Sequence, residues 1–172
     1  MTDDLCLDKQ LKDPAMFNQM SKMFIVVATF VVFPPNLYAE EASNPNYDAD
    51  RAANAGADQY GMKHYVMAFL KRGPNRDRTE EEAKALQAAH MENIGRLADE
   101  GKLVLAGPFI GDGEVRGIYI FDVTSVEEAR ALTATDPAIE AGSLIMELQP
   151  WYGTAALTEV NKLHALMAET LM

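Results

Sequence analysis

Only three histidines occur in the chain, and one of them, His90, falls on the apolar stripe of a helix pattern. Ala83, Leu86, His90, Ile94 and Leu97 recur at the three- and four-residue spacing that places side chains on one helical face. A neutral imidazole donates from one ring nitrogen and accepts at the other, and histidine changes charge near physiological pH. A histidine on such a stripe is more often a core residue with one satisfied hydrogen bond, so both readings stand at this point. His64 opens the first strand pattern, where it either lines a cavity or lies at the surface. Glu147, Gln149 and Trp151 share one face of the last strand pattern; they either orient a ligand or bond and pack across an interface. His164 lies in the tail and reads as solvated.

Several chemistries find no support. No serine or cysteine sits in a nucleophile motif, there is no phosphate loop, and no metal-ligand spacing such as HExxH occurs. Cys6 is the single cysteine, which excludes a disulfide framework and a cysteine-based zinc site. No cofactor and no metal are expected. The formal net charge of −11 argues against nucleic acid, because phosphate binding needs a basic face.

The elements that must position these residues follow βαββαβ order between about His64 and Gly153. His64–Lys71 is apolar at nearly every position, as in a strand buried on both faces. Thr79 with Glu82 forms a capping box that opens the first helix, which Gly101 ends; Glu80–Lys84 and Glu92–Arg96 are outward ion pairs. The strand Leu103–Ile110 contains Pro108 and belongs at a sheet edge, since proline cannot donate to a ladder. Asp112-Gly113 turns it into a central strand, Val115–Val123. Ser125 with Glu128 opens a second helix that ends near Asp136-Pro137. In the last strand, Ser143–Trp151, Leu144, Met146 and Leu148 take one face and Ile145, Glu147, Gln149 and Trp151 the other. Two central and two edge strands give an antiparallel sheet of order 4-1-3-2, the ferredoxin-like α+β arrangement with both helices on one face. The central strands are apolar on both sides, so the open face is expected to bury itself against a second copy, giving a homodimer with a barrel-like cavity.

Residues 1–39 read as an N-terminal extension and signal peptide. Lys22 precedes the apolar run Met23–Phe33, Pro34-Pro35 ends it, and cleavage is expected after Ala39. Translation is expected to begin at Met20, because the residues before it make a long acidic n-region. The run is too short for a membrane span, so no stable span is expected after cleavage. Residues 40–62, rich in Ala, Asn and Asp, read as a flexible leader, 63–153 as the domain, and 154–172 as a C-terminal amphipathic helix. The expected location is periplasmic or secreted.

The run Gly101-Lys102-Leu103-Val104-Leu105-Ala106-Gly107-Pro108 resembles the G-x-L-x-x-A-G-P motif of the YciI-like (YCII-related) family. Gly117, Glu127–Leu132, Asp136-Pro137, Ala141-Gly142 and Pro150-Trp151-Tyr152 match in order and spacing across nearly all of 63–153. The resemblance implies a ferredoxin-like fold pairing into a dimeric α+β barrel, and a His–Asp dyad beside a pocket, here His90 and Asp136. An aspartate bonded to one ring nitrogen would fix the tautomer and make the other nitrogen a better base. Asp before Pro is also a common turn former. Some members resemble muconolactone isomerases and chloromuconolactone dehalogenases, which work without a metal. The functional expectation is a cofactor-free enzyme of isomerase, lyase or hydrolase type acting on a small organic molecule. The alternative is a non-catalytic ligand-binding or dimerisation module.

Overall fold

A computed structural model describes residues 44–170, and those from Pro45 onward form one compact unit. The expected signal peptide and start at Met20 lie outside the described residues. The elements are α1 (Ala49–Ala55), β1 (Met62–Arg72), α2 (Glu80–Asp99), β2 (Leu103–Pro108), β3 (Val115–Phe121), α3 (Val126–Thr133), α4 (Pro137–Glu140), β4 (Leu144–Thr154), a 3-10 turn (Ala155–Glu159) and α5 (Val160–Met167). One antiparallel sheet runs β2-β3-β1-β4, the expected 4-1-3-2 order read from its other edge. The fold is the ferredoxin-like α+β arrangement.

Strand parity divides the sheet into two packed faces. Val66, Ala68 and Leu70 of β1 meet Tyr119 and Phe121 of β3 and Leu97 of α2, making the core beneath the helices. The intervening residues, with Tyr65 and Ile120 buried, gather Met67, Trp151 and Leu157 on the other side. β4 obeys the expected alternation, with Leu144, Met146 and Leu148 packed on the helix side. Pro108 ends β2 at the sheet edge, two residues short of the expected Ile110, and needs no ladder partner there.

The helix ends form as their residues dictate. Thr79 accepts from the Glu82 amide, and the Glu82 carboxylate accepts from the Thr79 amide at 2.8 Å. The Thr79 amide, and secondarily its hydroxyl, which donates to the same carboxylate at 2.9 Å, hold the Glu82 carboxyl below its ordinary pKa. At the other end Gly101 takes φ 69°, with Gly101 N bonded to Ala98 O and Lys102 N to Leu97 O, a Schellman closure. The Glu80–Lys84 pair forms at 2.7 Å, but Arg96 bonds Glu100, Asn93 and Thr135 rather than Glu92. Reaching toward the helix C-terminus lets Arg96 complement the end of the dipole and tie α2 to the turn after α3.

The stretch 40–62 is not featureless. Its described part carries α1, capped by Asp48 and closed by Gly56 at φ 67°. Asp58 then accepts from the amides of Tyr60 and Met62 and from the Tyr152 hydroxyl, and Ala155 N bonds Gly61 O. Short polar side chains that bond backbone locally supply the order here, which apolar content alone does not foretell. The tail differs likewise, because β4 runs to Thr154 and the 3-10 turn precedes α5. Among the described residues, no helix is long and apolar enough to cross a membrane.

Candidate functional site

Asp136 sits at the N-cap of α4, with Pro137 in the first helical position. Its Oδ1 accepts from Ala138 N at 2.9 Å, which fixes the carboxylate against the floor of α2. The midpoint of α2 presents His90 to it. His90 Nδ1 lies 2.9 Å from both Oδ1 and Oδ2, with Asp136 fully buried and His90 8% exposed. An aspartate so placed accepts, so Nδ1 carries a proton, and in the neutral ring Nε2 keeps its lone pair. Nε2 faces the Tyr119 hydroxyl at 3.3 Å, and the two rings stack at 20°. Burial, and secondarily the Asp136 charge, pushes the Tyr119 phenol far above its ordinary pKa. It therefore stays protonated and is the donor in that contact, which is long for such a bond and correspondingly weak.

His90 and Tyr119 open onto a cavity of about 590 Å³ between α2 and the helix-side face of the sheet, a volume suited to a small ligand. Leu86, Met91 and Ile94 of α2 oppose Leu70 and Leu144 of the sheet. The N-terminal end of the apolar stripe, Ala83 and Leu86, overhangs this space rather than packing on strands. Gly107 and Pro108 also form part of the wall. Among the described residues no group of three metal-ligating side chains occurs.

The remaining expected site residues lie elsewhere. Glu147 and Gln149 occupy the opposite face of β4, where Glu147 pairs with Lys71 at 2.5 Å. That hydrogen bond and the Lys71 charge hold the Glu147 carboxyl below its ordinary pKa. Trp151 packs on Tyr65, ring centroids 5.8 Å apart, on that same face. His64 is exposed and lies beside the Tyr152 ring, 5.2 Å between centroids. For the β4 residues parity is the reason: with Leu144 turned to the helices, every odd-numbered residue up to Trp151 turns away, whereas His64 lies at the end of β1 remote from Leu70 and Arg72 of the cavity wall.

Sequence reasoning missed Tyr119 and four arginines of the cavity wall, Arg72, Arg76, Arg78 and Arg116. Tyr119 stood in an apolar strand centre and carried no signal beyond its hydroxyl. Three arginines within Arg72–Arg78, in so acidic a chain, were the available clue. Arg116 depends on a strand irregularity: Leu70 pairs with Gly117 but Lys71 with Val115, leaving Arg116 as the extra residue of a bulge. Bulges commonly re-aim a side chain beside a site.

A four-stranded ferredoxin-like domain with a buried His–Asp pair, its histidine lining a helix-side cavity, defines the class of this protein. Residues 65–152 match the model of the YCII-related domain, and the chain belongs to that family. It is 32% identical over 74 residues to the uncharacterized protein YjpA of Bacillus subtilis (strain 168), covering 43% of this chain and 85% of YjpA. A solved structure of 5-chloro-2-hydroxyhydroquinone dehydrochlorinase from Burkholderia phenoliruptrix AC1100, in complex with 2,5-dihydroxybenzoquinone, is similar over 50% of this chain and 92% of its own, with 19% identity and a TM-score of 0.39.

Proposed function

We propose that this domain is an acid/base enzyme of isomerase, lyase or hydrolase type that works on a small organic molecule through its side chains alone. The observation that carries the reading is the continuous chain Asp136–His90–Tyr119 ending on the cavity. Asp136 orients the ring and stabilises the imidazolium that forms when Nε2 takes a substrate proton. The weak Tyr119 contact is displaced as substrate arrives, and the phenol, held neutral, donates to a substrate oxygen. The same imidazolium returns its proton to the rearranged substrate or to a leaving group, so the enzyme ends as it began.

One observation favours a second reading. With Tyr119 on Nε2 and Asp136 on Nδ1, His90 has a partner at both nitrogens, as a structural histidine in a non-catalytic binding module would. A metabolite screen by thermal shift on the full chain, followed by product analysis and repeated with His90→Ala, separates the two. Conversion lost in the variant supports the enzyme. Ligand stabilisation that survives unchanged, with no conversion in either protein, supports the module.

We further propose a homodimer formed through the sheet face bearing Tyr65 and Trp151, and export to the periplasm or beyond. The exposed Ile145 on that face supports the first, and the leader pattern of residues 22–39 supports the second. Light scattering that gives a monomer mass would refute the dimer. Full-length protein found in the cytosol after fractionation would refute export.

A further inference from the structure

The chain holds 26 acidic residues against 15 basic ones, yet the cavity wall contains no aspartate, glutamate or lysine. Four of the seven arginines line it instead. None of the four forms an ion pair with a described residue. Arg76 and Arg78 bond the backbone carbonyls of Ser143 and Ala141, at 3.1 and 2.7 Å, which ties the loop after β1 to the entrance of β4. Arg116 donates to Gly111 O at 2.7 Å. The Arg72 side chain bonds no described residue at all, although it continues the helix-facing row of Ala68 and Leu70. A guanidinium carries five donors, so every one of these groups keeps some unused. Four like charges around one space repel each other, and an anion placed among them relieves that repulsion.

The neighbours of these arginines decide what kind of anion fits. Between the charged mouth and the His90–Tyr119 end the wall is mainly Leu70, Leu86, Met91, Ile94 and Leu144, which suits a hydrocarbon body with one charged end. Tyr119 pairs with Ala68, and Arg72 lies four residues further along β1, about 13 Å of strand. A guanidinium fork matches a planar carboxylate with two parallel hydrogen bonds. We propose that the cavity takes a small organic carboxylate, its anionic group held by Arg72 and Arg116 and its apolar body extended toward His90 and Tyr119. This rests on the acid/base reading above and names the class of molecule that the site receives.

The test uses the full chain and titration calorimetry with benzoate, benzamide and inorganic phosphate. Benzoate is expected to bind saturably, and benzamide, equal in shape but neutral, to bind at least about tenfold more weakly. Arg72→Gln, which has no internal partner to lose, is expected to weaken benzoate by about tenfold or more, and the Arg72→Gln/Arg116→Gln pair further still. Absence of saturable benzoate binding, equal affinity for benzamide, or indifference to Arg72→Gln would each overturn the proposal. Phosphate binding tighter than benzoate, and lost in Arg72→Gln, would overturn the carboxylate in favour of a phosphate ester. Arginine-dependent benzoate binding without His90-dependent conversion would defeat the acid/base reading and leave this one standing. His90-dependent conversion of a neutral compound, untouched by the arginine substitutions, would do the reverse.

Discussion

On the helix side of the sheet, a carboxylate, an imidazole and a phenol are bonded in series beneath a cavity, and the carboxylate is wholly buried. On the other side, Glu147, Gln149 and Trp151 lie in one row, but the exposed Glu147 is paired with the half-buried Lys71, and none of the three lines that cavity. The residue types on the two faces are similar. Burial makes the difference, because a hydrogen bond sheltered from water holds one geometry and one tautomer, while an exposed ion pair is screened and contributes little. Substitutions should therefore act very differently on the two sides.

The largest effect is expected at Asp136. Asp136→Ala removes the cap of α4 and the partner of His90 together and should cost about 3 kcal/mol in urea unfolding. Asp136→Asn keeps the size and the cap but offers a donor to Nδ1, so His90 should switch tautomer. Nitrogen chemical shifts of His90 should show the proton moving from Nδ1 to Nε2, and conversion should fall by roughly three to four orders of magnitude. An unchanged tautomer in Asp136→Asn would break the orienting role.

Next comes the backbone that seats the charged mouth. A Cβ at Gly73 would stand 2.2 Å from Gly142 O, in a loop joined to β4 by the Gly73 N–Ser143 O bond. Gly73→Ala should cost roughly 2–3 kcal/mol, whereas Gly107→Ala, with nothing within 4 Å of its Cβ, should stay within roughly 0.5 kcal/mol. Equal melting temperatures for the two variants would show that the close approach of loop and strand is not what holds this end.

The fold was legible in the sequence because its signals were local and redundant: continuous apolar strands for the sheet centre, Pro108 for an edge, Thr79 and Ser125 for helix starts. His90 was legible by its place on a stripe, and Asp136 through the family pattern of an aspartate before proline. The structure does not bring Glu147, Gln149 and Trp151 to them, since alternation along β4 states that two faces exist without saying which one holds a cavity, and His64 lies at the far end of β1. Arg116 was hidden by a bulge, which shifts parity by one residue and leaves no mark in composition. Arg76 and Arg78 resembled any solvated loop charges until the loop was seen folded against residues 141–143, and Arg72 stands at the end of β1 just before it.

Trp151→Ala tests the division directly. The indole rests on Tyr65 and over Gly153 and is half-buried, so its loss should cost about 2 kcal/mol, below the range of a fully enclosed tryptophan. Benzoate affinity should be unchanged. A tenfold loss would place this face in the site after all.

The smallest effect concerns the buried phenol on each side. Burial, and secondarily the Asp122 charge, pushes the Tyr65 phenol up to about 12, and its hydroxyl donates to Thr154 O at 3.0 Å. Unfolded tyrosine titrates near about 10, so between those values the folded chain holds a proton that the unfolded chain has released. Stability from this group is then complete below pH ~10 and is lost as pH rises through about 12. Tyr119 is shifted in the same direction and behind Asp136 rather than Asp122. Tyr65→Phe should therefore flatten only part of the alkaline fall in urea-unfolding stability, and Tyr119→Phe the rest. If Tyr65→Phe alone abolished that fall, the phenol beside His90 would not be held neutral by its surroundings, and its assignment as a donor to substrate would fail.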